Sequence, residues 1–411
     1  MPQGFLSVAF GAQPFWTKQN TEISTRLLVV LFFLGPILFV TIETSPTAWA
    51  VLTALSAAVS ITNAIKFQKS LYSPAIVLAL ILALVAASLF WTIDKTKTAF
   101  AVRDFLGFGL AALTLLNCLL SISENDCSRV RKAFTCGSMI AILALFAIEV
   151  YIAARHGQSP PVADVITLHK ITFYGALFAA WHLAENSRTS TFIALLYAIS
   201  TIALGHSAGI GAAIIVVAVL YALPDRGRRP AVAVIISAYV IGAFAAPAVI
   251  PRAFSYLDAS GALSYKPNTF AGRLELWDLV LKQIWNAPIL GHGANTIRNA
   301  MWLITNPRYY GLSDLPSAHN IVIDIWFELG VTGIAFMSVS IIALSTMIYK
   351  LPERLFFLCS SLLLTIVIEL TVDHRVWLSW VLGTLILAIA ISIIYSRDRL
   401  ATVKLRTPED E

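Results

Sequence analysis

Apolar segments long enough to cross a bilayer follow one another along nearly the whole chain, interrupted once by the polar interval 251–318. A chain so patterned has few options, because every backbone polar group inside hydrocarbon must be satisfied within its own element. A β-barrel would alternate apolar and polar residues, and these runs do not. The chain is 58% hydrophobic and 13% charged, far from the roughly 25% charge of soluble domains. The expectation is an all-α, polytopic integral membrane protein.

Twelve spans can be drawn, near 27–42, 48–65, 72–92, 99–121, 133–153, 171–186, 191–205, 207–223, 231–250, 320–349, 355–371 and 376–395. Loop charge orients them. With the N-terminus inside, the inner loops and ends carry Lys18, Arg26, Lys66, Lys69, Arg129, Arg131, Lys132, Arg188, Arg226, Arg228, Arg229, Lys350, Arg354, Arg397, Arg399, Lys404 and Arg406. The short outer loops carry only Lys95, Lys97, Arg155, Lys170 and Arg375. Seventeen against five supports both termini inside, with 251–318 facing outward, into the periplasm in a Gram-negative cell. The net charge of +6 therefore encodes topology and is no nucleic-acid footprint. No cleavable signal peptide is evident. The four cysteines lie outside the large loop, so no structural disulfide is expected there. Three regions result: helices in 1–250, a structured loop in 251–318, and 319–411 with the last three spans and a tail.

Within the loop, Gly272 to Asn286 has helical periodicity, with Leu274, Trp277, Leu281 and Ile284 on one stripe. Pro288 and the Gly291/Gly293 pair end it, and Pro251, Pro267, Pro307 and Pro316 are expected to break the rest into short pieces. Such a helix can lie at the membrane surface with its tryptophans at headgroup level. From His319 to Tyr349 a continuous helix would run about 46 Å, longer than the roughly 30 Å hydrocarbon core, so its first turns should project outward. Asp324 and Glu328 share a face four residues apart, and two acids in an apolar helix imply a wet cleft or cationic partners. Arg103 beside Asp104 sits just inside the boundary of the fourth span and faces either a cavity or its neighbour.

There is no cluster at metal-ligand spacing, no GxSxG and no P-loop. What the outer side offers is Arg252, Arg273, Arg298, Arg308, Lys170, His292 and His319, with Tyr309, Tyr310 and tryptophans including Trp277. Guanidinium forks bind phosphate oxygens in pairs, imidazole takes a proton near neutrality, and aromatic faces suit sugar rings. Together these describe a site for a phosphorylated, lipid-anchored glycan.

The pattern AGRLELW…NAPILGHG followed by AHNIVIDIWFELGVTG resembles the shared core of the O-antigen ligase and polysaccharide polymerase superfamily. That core has a G-R-x-x-x-W helix, a P-x-x-G-x-G turn, and a His-Asn pair leading into a helix with E-x-G-x-x-G. LFWTIDKTKTAF resembles the family's outer hairpin, with Thr92 in place of a serine, and TLHKITFYG (Thr167 to Gly175) resembles a further element. The resemblance implies a GT-C-like transferase using an undecaprenyl-diphosphate-linked glycan and no metal or other cofactor, in the bacterial inner membrane with its site facing the periplasm. By position, Arg273 would hold the diphosphate and His319 would deprotonate the acceptor hydroxyl. Arg252, Arg103, Lys170, Trp277, Asn320, Glu328 and Arg298 would line the substrate site. Many members carry Ser-Arg where this chain has Ser207-Ala208, so another cation, Arg103, Lys170 or Arg252, would replace it. The acceptor is lipid A-core for a ligase and a growing glycan for a polymerase; a transporter of the same lipid is the reading from another class.

Overall fold

A computed structural model of the chain describes residues 18–41, 45–59, 72–156, 162–185, 208–263, 270–297, 318–372 and 379–404, with isolated positions in 189–198 and Ala300 and Tyr309. The described residues contain helices and no strand. In chain order they are α1 (Lys18–Thr41), α2 (Ser45–Val59), α3 (Tyr72–Ala87), α4 (Lys95–Ser121), α5 (Glu124–His156) and α6 (Val162–Glu185). Then come α7 (Ala208–Ala222), α8 (Asp225–Ala259), α9 (Phe270–Gln283), α10 (Ile321–Tyr349), α11 (Glu353–Val372) and α12 (Ser379–Lys404). Six of these are long and apolar enough to cross a membrane: α1, α4, α5, α8, α10 and α11. Four more apolar stretches are shorter, in α2, α3, α7 and α12. Every span drawn from sequence falls on a described helix except 191–205, which lies largely outside the described residues. The protein is an all-helical, multi-pass membrane protein.

Local chemistry sets several helix starts. Asp94 caps α4, its carboxylate accepting the Lys97 amide at 3.0 Å. Ser123 and Asp126 cap α5 reciprocally: the Asp126 amide donates to the Ser123 hydroxyl, which donates to the Asp126 carboxylate. The core between α1, α2, α5, α6 and α12 is aromatic, with Phe32, Phe39, Trp49, Phe134, Phe178 and Trp181 buried and packed edge to face.

At the end of the bundle where α4, α6 and α7 finish, arginines satisfy the carbonyls that helix termini leave unpaired. Arg228 donates to Leu220 and Tyr221 at the end of α7, Arg229 to Tyr349 and Leu351 at the end of α10, and Arg397 to Leu119 near the end of α4. Arg228 and Arg229 also pair with Glu353, and Arg131 pairs with Glu185 while lying over the Tyr395 ring. All of these arginines belong to the set that the charge count assigned to one side. All four cysteines are free.

Two expectations need correction. Pro251 does not break the chain: α8 carries Pro230, Pro247 and Pro251 inside it and continues to Ala259. A proline leaves the carbonyl four residues earlier without its helical donor. For Pro247 that carbonyl is Ala243, and the indole N–H of Trp326 on α10 donates to it at 2.8 Å. The proline is tolerated because a neighbouring helix supplies the missing donor. The second correction concerns α10. It is not continuous, for Gly330 has φ 62° and ψ −157°, outside helical space, which divides the element into Ile321–Leu329 and Val331–Tyr349. Every residue from Asn320 to Gly330 is buried, so the first segment is enclosed by protein. The second has exposed Val339, Ile342, Leu344 and Met347 and, at 19 residues, spans about 28 Å, close to the hydrocarbon thickness.

Candidate functional site

The end of the bundle opposite the arginines is built from three segments far apart in sequence: the hairpin 88–98, made of the α3–α4 connection and the first turn of α4, the turn 288–297 after α9, and the broken helix α10. At the break, the carbonyls of Phe327 and Glu328 and the amides of Val331 and Thr332 lose their helical partners. The turn provides them. His292 and Gly293 amides donate to the Phe327 and Glu328 carbonyls at 2.9 and 2.8 Å, and Val331 and Thr332 amides donate to the Pro288 and Ile289 carbonyls at 2.9 and 3.2 Å. This is the answer to where the backbone bonds of a broken, buried helix go.

Such close approach dictates glycine. Gly330 and Gly291 both have positive φ, 62° and 66°. A Cβ on Gly330 would lie 2.5 Å from the Ile289 carbonyl oxygen, and one on Gly291 would lie 2.3 Å from the Glu328 backbone carbon. The hairpin braces the turn from its other side. The Trp91 indole donates to Leu290, the Ile93 amide to His292, and the Thr98 hydroxyl to Ala294. The Thr92 hydroxyl accepts the Asp94 amide at 3.1 Å and lies 2.7 Å from the Thr98 hydroxyl.

Against this framework lies α9, packed on α8 and α10. It is more enclosed than a helix at the membrane surface. Leu274, Leu281 and Ile284 of the expected apolar stripe are buried, but so are Glu275 and Asp278. The Glu275 carboxylate accepts the Tyr309 amide at 2.7 Å, and the Tyr309 hydroxyl donates to Asp258 at the end of α8. Tyr309, expected as a face for sugar, thus joins α8 to α9; Tyr310 lies outside the described residues. Burial pushes the Asp278 carboxyl up, opposed by its 2.6 Å bond to the Lys282 ammonium, and Glu275 adds to the rise.

The tip of α10 carries the imidazole that sequence singled out. His319 is half-buried, with a left-handed φ of 52°, unusual for a residue with a side chain. Its neighbours are held from three directions. The Trp277 indole on α9 donates to the Ala318 carbonyl at 2.7 Å, and the Ala318 amide donates to the Asp324 carboxylate at 2.9 Å. The Asn320 side-chain oxygen caps α10, accepting the Val322 and Ile323 amides. Asn320 was expected at substrate; its oxygen is engaged by the helix it begins. Arg273, also half-buried, lies one helical turn before Trp277 on the same face of α9, the face turned to the His319 turn.

The other candidates are distributed. Glu328 is fully buried and accepts the Ile297 amide at 3.3 Å, so both α10 acids take backbone amides. Arg103 pairs with Asp104 and lies over the Phe100 ring, with most of its side chain exposed. Arg252 is exposed near the end of α8. Lys170 is on α6 with its side chain outside the described residues, where Arg298, Arg308, His206 and Ser207 also lie. His292 is a packing ring, tilted on Phe327 at 4.5 Å; burial lowers its pKa, against a bond with the Gln283 carbonyl that raises it. Sequence reasoning missed Gly330, Trp326 and the acceptor role of Asp324. A glycine inside an apolar helix, two residues after a buried acid, was the available signal.

Residues 190–338 match the family model described as O-antigen ligase. That stretch of the chain is similar to the O-antigen ligases. No curated protein matches it. The ligase-family match runs from before α7 through α8, α9, the glycine turn and the break in α10, and so contains the interlocked turn and half-helix just described. The hairpin that braces them lies before it.

Proposed function

We propose that this protein transfers a glycan from an undecaprenyl-diphosphate carrier to an acceptor hydroxyl of lipid A-core at the periplasmic face of the inner membrane. In this reading twelve spans in a GT-C-like arrangement hold the hairpin end of the bundle outward. The observation that carries it is the bond between Trp277 and Ala318, which turns the face of α9 bearing Arg273 toward His319. The His319 imidazole takes the acceptor's hydroxyl proton as its oxygen attacks the anomeric carbon. The bond from that carbon to the diphosphate oxygen breaks, undecaprenyl diphosphate leaves, and the proton passes from His319 to water. Arg273 holds the charge that grows on the leaving diphosphate. No metal or nucleotide is required by this scheme.

Asn320, Trp277 and Glu328 support the site through backbone, while Arg252, Arg103, Lys170 and Arg298 are the cations from which further donor contacts come. In purified protein reconstituted with lipid-linked glycan, His319→Ala and Arg273→Ala should each lower transfer by at least about a hundredfold while the protein inserts normally. Wild-type transfer by either variant removes that residue from the scheme, and strong loss on adding EDTA removes its metal independence. Ala208, at the start of α7 where many members carry arginine, favours a second reading: a polymerase that extends the glycan on its own carrier. Deleting the gene and resolving lipopolysaccharide on a gel separates them. Uncapped lipopolysaccharide with retained lipid-linked polymer means ligase; a single-repeat cap or a lost secreted polymer means polymerase.

A further inference from the structure

We infer that Asp324 is a positioning residue for His319: its carboxylate holds the Ala318 amide while Trp277 holds the Ala318 carbonyl, so that the imidazole is presented from a left-handed backbone. The inference rests on the proposed role of His319 and deepens it. A non-glycine residue at φ 52° carries roughly 1–2 kcal/mol of conformational cost, so an unrestrained turn would relax to negative φ and swing the imidazole elsewhere. The geometry shows what opposes relaxation. Ala318 is fully buried, and both of its backbone groups are gripped by side chains, its amide by Asp324 and its carbonyl by Trp277. The peptide whose rotation would change φ of His319 is the one whose oxygen Trp277 holds. On the far side, Asn320 is fixed by its cap and by its carbonyl, which accepts the Asp324 amide at 2.9 Å. Asp324 therefore touches both flanks of His319, with its side chain before and its main chain after. It reaches back six residues because it sits on the first turn of a helix that is itself wholly enclosed.

This role needs an acceptor oxygen at position 324. Asparagine at 324 keeps the oxygen; alanine removes it and leaves a buried amide unsatisfied.

The test is steady-state transfer by full-length protein in liposomes, with lipid-linked glycan as donor. Asp324→Ala should lower kcat about a hundredfold, the scale of a misplaced catalytic group, with KM for the donor within about twofold of wild type. Asp324→Asn should recover most of that kcat. If Asp324→Ala does not fold, Trp277→Phe serves instead: it keeps the ring against α10, removes the donor, and should lower kcat about tenfold at unchanged donor KM. The inference is overturned by wild-type kcat in Asp324→Ala or Trp277→Phe, by an asparagine variant as inactive as alanine, or by a loss that appears in KM alone. His319→Ala run alongside distinguishes the two levels. If it is active, the reading of His319 fails; if it is inactive while Asp324→Ala is active, only the clamp fails.

Discussion

The two ends of the bundle are held together by different chemistry. At one end the fastening is ionic: Arg228, Arg229 and Arg397 lie on helix-terminal carbonyls, and Arg131 faces Glu185. At the other, the hairpin, the glycine turn and the broken helix are joined through backbone amides and carbonyls, hydroxyls and indoles. The difference is instructive. Guanidinium groups that close helix ends are fully engaged in doing so. A framework fastened by main chain demands glycine wherever two backbones touch.

The sharpest way to break this contrast is at the glycines. Gly330→Ala and Gly291→Ala each place a Cβ against main chain at a positive φ, where no flexible side chain can yield. Each should cost several kcal/mol, on the order of 3 or more, and abolish transfer; thermal unfolding in detergent and an activity assay would show it. A variant of either that unfolds like wild type would mean the interlock is not what holds this end.

At the ionic end, Arg131→Met leaves Glu185, only 11% exposed, without that partner. A loss of about 2–3 kcal/mol is expected in unfolding experiments, with transfer per folded molecule unchanged, since the proposed site is at the other end. Between the two, Trp326→Phe orphans the Ala243 carbonyl and should cost about 1–2 kcal/mol. Adding Pro247→Ala should restore much of it, because the helix then regains its own donor; a simple sum of the two single effects would refute that link.

The smallest effect is in pH. Burial holds His292 below its ordinary value of 6.5, so between that value and the lower folded one the unfolded chain binds more protons. Stability from this end is therefore complete above pH 6.5 and declines as the solution is acidified through the folded value. His292→Phe should flatten the acid limb of a stability–pH curve measured between pH 7 and 4.5; an unchanged limb would assign it to other groups.

Much of the architecture was legible. Apolar run length marked the helices, and Pro288 and the Gly291/Gly293 pair marked an end that the structure keeps. The loop arginines identified one end of the bundle, where the structure finds them closing helix-terminal carbonyls. What was not legible depends on partners far away in sequence. Pro251 reads as a breaker by local rules, and nothing near Pro247 reveals that Trp326 will supply its missing donor. Gly330 reads as a tolerated glycine in an apolar helix until the turn 288–293 is placed beside it. Asp324 and Glu328 implied a wet cleft or cationic partners; that each also accepts a backbone amide is visible only in three dimensions. Arg103 shows the opposite case, since the neighbour in sequence, Asp104, is the partner it takes.

The segment Val331–Tyr349 is pinned at both extremities, by the Pro288 turn above and by Arg229 below. It therefore works as a gauge rod between the two faces of the membrane. Lengthening it by one turn would raise everything beyond Gly330 by about 5 Å relative to the headgroups, and shortening it would sink the same assembly into hydrocarbon. The reach of this protein toward whatever stands above the bilayer is written in the residue count of one half-helix.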